Sequence, residues 1–311
     1  MARSAQHVAA GGRPLLTARS PRRGERAIIG ALALSALVSI LVTVGILIAL
    51  IVPSFEFFSE ISLAEFFTTT KWAPLFEPPA FGVLPLIVGT LSTTFWACVV
   101  CLPLGLGTAI FLSEYARPRV RAVIKPVLEV LAGIPTVVLG YFALTFLTPF
   151  LRSLGWQVEI FNVFSAGVII GILLLPTVAS LSEDAMKAVP SSLREGSFGL
   201  GANRFQVSTR VIVPAAISGI TASFVLAISR AIGETTIVLI AAGQFSRVSF
   251  WPGDSVQTMT AFIAGTGSGD VPVGSIEYKT IFAVGITLFV MTLILNVISI
   301  RLVRRFREVY E

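Results

Sequence analysis

Histidine occurs once, as His7, cysteine twice, and charged residues fill only 13% of the 311 positions. An ordinary soluble domain carries ~25% charge. The shortage of His and Cys removes most imidazole-based catalysis and most metal centres. No G-x-x-x-x-G-K-[ST] phosphate loop occurs and no lysine follows a glycine, so the chain is not itself an ATPase. What it has is hydrophobicity: 55% apolar residues and a mean hydropathy of +0.88.

A membrane-spanning helix needs ~20 mainly apolar residues. Six regions meet this: Ala27 to Phe55, Pro78 to Ser113 with its span from about Leu84, Val130 to Leu151, Ile160 to Ser182, Val211 past Arg230 and Glu234 to Ser246, and Thr280 to Ile300. The first exceeds a signal-peptide core of ~7–15 residues and lacks an obvious cleavage site before Pro53, so it reads as a helix. The expected fold is all-α and integral to the membrane, with six spans. The expected divisions are a disordered basic tail over 1–26, a first span over 27–53, an outer segment over 54–83, a five-span core over 84–303 and a tail over 304–311.

With both termini cytoplasmic, the N-terminal tail, the second connection (Arg117, Arg119, Arg121, Lys125), the fourth (Lys187, Arg194, Arg204, Arg210) and the C-terminal end hold eighteen of the 23 Lys and Arg. That is the positive-inside pattern. The pI of about 9.8 therefore reports topology and attraction to anionic lipid, with no nucleic-acid partner. Trp72, Trp156 and Trp251 fall at the outer interface, as an aromatic belt requires. Outside, Phe55, Phe57, Phe58, Phe66 and Phe67 among acids suit a short interfacial helix, and the long Phe245–Tyr278 connection is either an external docking loop or a passive linker. Cys98 and Cys101, inside a span, read as two small apolar residues.

The fourth connection, 183–210, is polar yet ordered in pattern. Ser192 and Glu195 form a capping-box pattern that starts a helix at Leu193, and Gly199 and Gly201 stop it. Such a capped helix on the membrane face gives another protein something to grip. Here the chain resembles permeases of ABC importers, whose signature reads Glu-Ala-Ala, three residues, Gly, nine residues, Ile-x-Leu-Pro. This chain has Glu195-Gly196-Ser197, then Gly201, then Val211-Ile212-Val213-Pro214. Glu, Gly and Pro match in identity and spacing; Gly196, Ser197, Val211 and Val213 depart. The resemblance implies a coupling helix near 191–201, with Leu193, Arg194, Glu195, Gly201 and Pro214 as the ATPase-coupling residues.

Arg230 and Glu234 interrupt the fifth apolar run, and a charged residue at the bilayer centre costs at least ~2.5–3.5 kcal/mol. On one helix, i to i+4, they share a face and can pair. One reading is a structural ion pair; the other is that Arg230 holds a passing anion while Glu234 restrains its guanidinium, with Thr235, Thr236 and Gln244 adding polar groups. The planar guanidinium suits tetrahedral oxyanions.

At this point the resemblance narrows to phosphate-specific importers, their PstC-type permeases. It is carried by Trp72-Ala73-Pro74, Phe81-Gly82-Val83-Leu84-Pro85, Phe111-Leu112-Ser113-Glu114-Tyr115-Ala116, Lys125-Pro126, Leu131-Ala132-Gly133-Ile134-Pro135-Thr136-Val137-Val138 and Arg230-Ala231-Ile232-Gly233-Glu234-Thr235. Thr136 stands where the family usually has Ser, and Thr236-Ile237 departs after Thr235. The resemblance implies a type I (MetI-like) importer permease in the bacterial inner membrane, translocation residues Arg230, Glu234 and Thr235, a PstA-type second half, two ATPase copies binding ATP and Mg, and an external phosphate-binding protein. No cofactor is expected in this chain. The alternatives are an ABC permease for molybdate or sulfate, and a secondary transporter in which Glu234 carries a proton.

Overall fold

The computed structural model describes residues 23–305; the basic tail before Arg23, with His7, and residues 306–311 lie outside the described residues. The chain divides after Ala49 into an N-terminal unit and a main unit. The first is the opening part of helix α1, Arg23–Glu60, which Pro53 does not end. The helices of the main unit then follow in order.

A short α2, Leu63–Thr68, leads into a two-stranded antiparallel ribbon of β1, Trp72–Ala73, and β2, Ala80–Phe81. Helix α3, Leu84–Ile110, runs into a π turn, Phe111–Tyr115, and α4, Pro118–Ala132, follows. The third span is α5, Thr136–Phe142, a π turn over Ala143–Leu147, and α6, Thr148–Ser153. Helix α7 is Val163–Lys187, and α8, Ser191–Gly199, is the expected cytoplasmic helix. Beyond it come α9, Arg204–Val207, a π turn over Ser208–Ile212, α10, Val213–Ala215, and α11, Ile217–Ile232. The chain closes with α12, Thr236–Ala241, α13, Met259–Gly267, and α14, Ile276–Arg305.

Among the described residues five helices are long and apolar enough to cross a membrane, and the pair Arg204–Ala215 and Ile217–Ile232, bent by 71°, makes a sixth when counted as one span. Several boundaries differ from the sequence expectation. The third span begins at Thr136, not Val130, because Gly133 ends α4 and Pro135 forces the residue before it out of the helical region. Helix α4 is thereby a separate amphipathic helix. Helix α7 is capped by Asn162, whose side chain accepts from Ser165 N at 2.7 Å, and it runs five residues beyond the apolar stretch to Lys187.

Helices α3 and α7 form the most extensive pair in the unit. Lipid tails are as apolar as leucine, so close packing and not hydrophobicity holds such helices together. The contact uses small residues: a Cβ on Gly171 would lie 2.8 Å from Ala97 O and 2.7 Å from Val100 Cβ. Around it, Ala97, Cys101, Ala166, Ile170, Leu173 and Leu174 are buried. Cys98 and Cys101 are free thiols within α3.

A second core closes the outer end. Phe57, Phe66, Trp72, Phe81 and Phe262 pack edge to face, with Trp72 and Phe262 at 4.9 Å and Phe57 and Phe66 at 5.7 Å. Edge-to-face contact places the positive ring edge on the negative face of its neighbour. Trp72 is only 4% exposed and so is not a belt residue, unlike Trp156 and Trp251, which face outward. The outer Phe cluster is likewise split, with Phe57 and Phe66 buried and Phe55 and Phe67 exposed. The long outer connection is neither loop nor linker throughout: α13 returns inward, and Met259, Ala261 and Phe262 are buried.

Candidate functional site

Arg230 lies in the last turn of α11, where a cation complements the negative end of the helix dipole. Its side chain is exposed within the subunit, and its Nη1 donates to Thr177 Oγ1 of α7 at 3.5 Å. The structure does not bring Arg230 and Glu234 into a pair. Helix α11 stops at Ile232 with Gly233 as its cap, so residue 234 no longer follows the helical repeat. Glu234 instead turns to the start of α12: its Oε1 accepts from Thr236 N at 3.0 Å and Ile237 N at 3.3 Å. These are donors that a helix N-terminus leaves without partners. The Glu234 carbonyl also accepts from Thr260 Oγ1 at 2.8 Å, tying the break to α13. Thr235, at the break, donates to Gly233 O at 3.2 Å. Among the described residues no carboxylate approaches Arg230 within 4.0 Å.

The cytoplasmic knob differs from expectation at its start. Helix α8 begins at Ser191 after Pro190, and no side chain caps it, so Ser192 sits inside the first turn and makes no capping box with Glu195. The extended backbone of Pro190 places the boundary two residues earlier than the Ser-x-x-Glu pattern suggests. A capping box does form further on: Asn203 Oδ1 accepts from Gln206 N at 2.9 Å and Gln206 Oε1 from Asn203 N at 2.9 Å, opening α9. The stop occurs where the glycines predict. Gly201 has φ +82°, Gly201 N donates to Phe198 O at 2.9 Å and Ala202 N to Ser197 O at 3.1 Å, the paired bonds of a Schellman motif.

Of the five residues expected to couple to an ATPase, Leu193 packs on the cluster of Met186, Val189, Val207 and Ile212, and Glu195 is exposed. Arg194 points into the membrane domain. It donates to Met186 O at 2.7 Å and Val189 O at 2.8 Å, and pairs with Glu114 at 3.1 Å. It therefore fastens the knob to α7 and to the end of α3. Pro214 is exposed in α10, just before the 71° bend at Ala216. Sequence reasoning missed the apolar part of the knob, Phe198, Leu200 and Phe205, which are 47%, 91% and 68% exposed. Three large apolar side chains on a polar cytoplasmic segment are the signal that was available. Glu114, Thr177 and Glu183 were also missed as partners.

Comparison with known proteins places this geometry. Residues 101–308 match the family described as binding-protein-dependent transport system inner membrane component. The chain is 36% identical over 259 residues to a probable ABC transporter permease protein, YqgH, of Bacillus subtilis, covering 83% of this chain and 84% of that protein. It is 31% identical over 274 residues to the phosphate transport system permease protein PstC of Mesorhizobium japonicum, covering 82% of each. Among solved structures, a bacterial alginate ABC transporter, in complex with alginate pentasaccharide-bound periplasmic protein, superposes with a TM-score of 0.65 at 18% identity, covering 91% of this chain and 96% of that one. The inward-facing MetNI methionine ABC transporter gives 0.54 at 18% identity, covering 73% and 95%. With α11 ending at Gly233 just beyond Arg230 and a knob fastened to the membrane domain, the chain belongs to the binding-protein-dependent transport inner-membrane components, a multi-pass permease subunit of the ABC importers with relatives of the PstC type, and not an enzyme.

Proposed function

We propose that this permease forms half of the pore of an ATP-driven importer of inorganic phosphate. The observation that carries the reading is Arg230: a guanidinium inside a spanning region, with no carboxylate beside it and a hydroxyl as its one side-chain neighbour by hydrogen bonding among the described residues. An unpaired cation in a span costs free energy unless an anion or water meets it. The phosphate systems of the PstC relatives supply the choice of anion. A single arginine binds loosely, which suits a path that must release its cargo.

On this reading a PstA-type homologue supplies the other half of the pore, an external phosphate-binding protein delivers the anion, and two ATPase subunits bind ATP and Mg. The ATPases grip Phe198, Leu200 and Phe205, and Arg194 passes their movement to α3 and α7. Helix α11 then carries Arg230 between an outward and an inward arrangement.

The test is uptake of radiolabelled phosphate by cells lacking other high-affinity importers and expressing the chain with its genomic neighbours. Uptake should collapse on ATP depletion with the proton gradient maintained, and excess sulfate or molybdate should not compete. A charge-assisted hydrogen bond contributes about 1.5–3 kcal/mol, so Arg230→Gln should lower uptake roughly tenfold to hundredfold while the complex still assembles. Uptake driven by the gradient alone would make this a secondary transporter, and competition by sulfate or molybdate would change the anion.

A further inference from the structure

Thr177, which accepts the Arg230 hydrogen bond, is followed at three-residue steps on α7 by Ser180 and Glu183. All three line one cavity of about 240 Å³, whose opposite wall is α4 with Lys125 and Glu129. At its floor Glu183 is fully buried, yet three cations surround it: Arg121 at 2.8 Å, Lys125 at 3.0 Å and Lys187 one helical turn along. The contacts are ion pairs and not aligned hydrogen bonds. A buried carboxylate needs a partner, and one cation suffices to neutralise it. Three leave two positive charges in excess, of which Glu129 returns one. The cations are not buried with their partner: 36% of the Arg121 side chain, 34% of Lys125 and 30% of Lys187 stay exposed.

We propose that this cluster is an anion station at the cytoplasmic end of the transport path, at which a small oxyanion leaving Arg230 is received by Lys125 along the hydroxyls of Thr177 and Ser180, with Arg121 adding positive charge from its ion pair with Glu183. Glu183 does not touch the anion. It is a positioning residue, holding Lys125 at the cavity where its long flexible stem would otherwise carry it to water. The proposal rests on the reading that Arg230 lies on an anion path, and the same chemistry would also accept a lipid phosphate headgroup.

The test uses the complete complex in inside-out vesicles, with Cys98→Ala and Cys101→Ala in this chain and a single reporter, Ser180→Cys. Labelling by a sulfonate-bearing methanethiosulfonate should be about tenfold faster than by its trimethylammonium counterpart, since a charged cleft concentrates counter-ions to that extent or more. Inorganic phosphate should slow it. Lys125→Gln should bring the two rates together, Lys125→Arg should keep them apart, and Glu183→Gln should reduce the preference while leaving Ser180→Cys reactive. An anion preference unchanged by Lys125→Gln, or an absent one, overturns the station while leaving Arg230-dependent phosphate uptake standing. Preference with protection by sulfate and none by phosphate keeps the station and sinks the phosphate reading. Protection by phosphate in phosphatidylcholine vesicles identifies a free anion; protection by phosphatidylglycerol alone, with phosphate inert, overturns the transport role.

Discussion

At the scale of single residues, the sequence places two opposite charges four apart and the structure assigns them separate tasks. Arg230 has no carboxylate within 4.0 Å among the described residues and donates to Thr177 Oγ1, whereas Glu234 spends an oxygen on two backbone N–H groups of α12. These roles differ in what a substitution should do. Glu234→Gln retains an oxygen acceptor for α12, while Glu234→Ala leaves those N–H groups without a partner and should cost about 1 kcal/mol, the usual worth of an N-terminal cap. Thermal unfolding of the purified complex should rank wild type, Gln and Ala in that order; equal loss in both variants would mean that the charge, and not the cap, matters. The separation was not legible because i to i+4 pairing assumes an unbroken helix. Gly233 alone does not mark the break, because whether a glycine ends a helix depends on what packs beyond it.

At the scale of elements, apolar spans were readable because hydropathy sums over many residues and tolerates local error. Helix α8 was readable by its glycine stop and less so by its start. Polar stretches held in place by tertiary contacts were not: α4, the cytoplasmic extension of α7 and the inward return of α13 each depend on partners distant in sequence. Arg194 shows the same limit, since its three acceptors lie on the π turn after α3, at the end of α7 and just beyond it. Arg194→Ala should strand Glu114, which is 10% exposed, and loosen α8 by roughly 2–4 kcal/mol. Because Phe198, Leu200 and Phe205 remain, the ATPase should still co-purify, while uptake falls and ATP hydrolysis escapes control. The converse change, Phe198→Ser with Leu200→Ser, should lose the ATPase and leave the thermal stability of the permease near wild type. Co-purification and transport assays on the two variants separate anchoring from gripping.

At the scale of the whole main unit, the packing of α3 on α7 is the frame, the most extensive contact between its helices. A side chain at Gly171 has nowhere to go, with backbone at 2.8 Å. Gly171→Val should destabilise by roughly 1–3 kcal/mol or more, as overpacked cores do, and lower both membrane yield and melting temperature. An exposed glycine such as Gly196, with nothing within 4 Å of its added Cβ, should tolerate Ala without loss. The six-span architecture was legible from composition, but this frame was not, since glycine in an apolar run carries no hydropathy signal that marks it as a contact.

The 71° bend at Ala216 has a mechanical consequence under the proposed coupling. With ~1.5 Å of rise per residue, the arm Arg204–Ala215 is about 18 Å long and Ile217–Ile232 about 24 Å. Joined at a fixed angle, they act as a bell crank with unequal arms. Each end of such a crank moves at right angles to its own arm, so a stroke at the free end of Arg204–Ala215 emerges as a sideways swing of the far end of Ile217–Ile232, lengthened by about a third. Arg230 rides near the tip of the longer arm, where the throw is greatest.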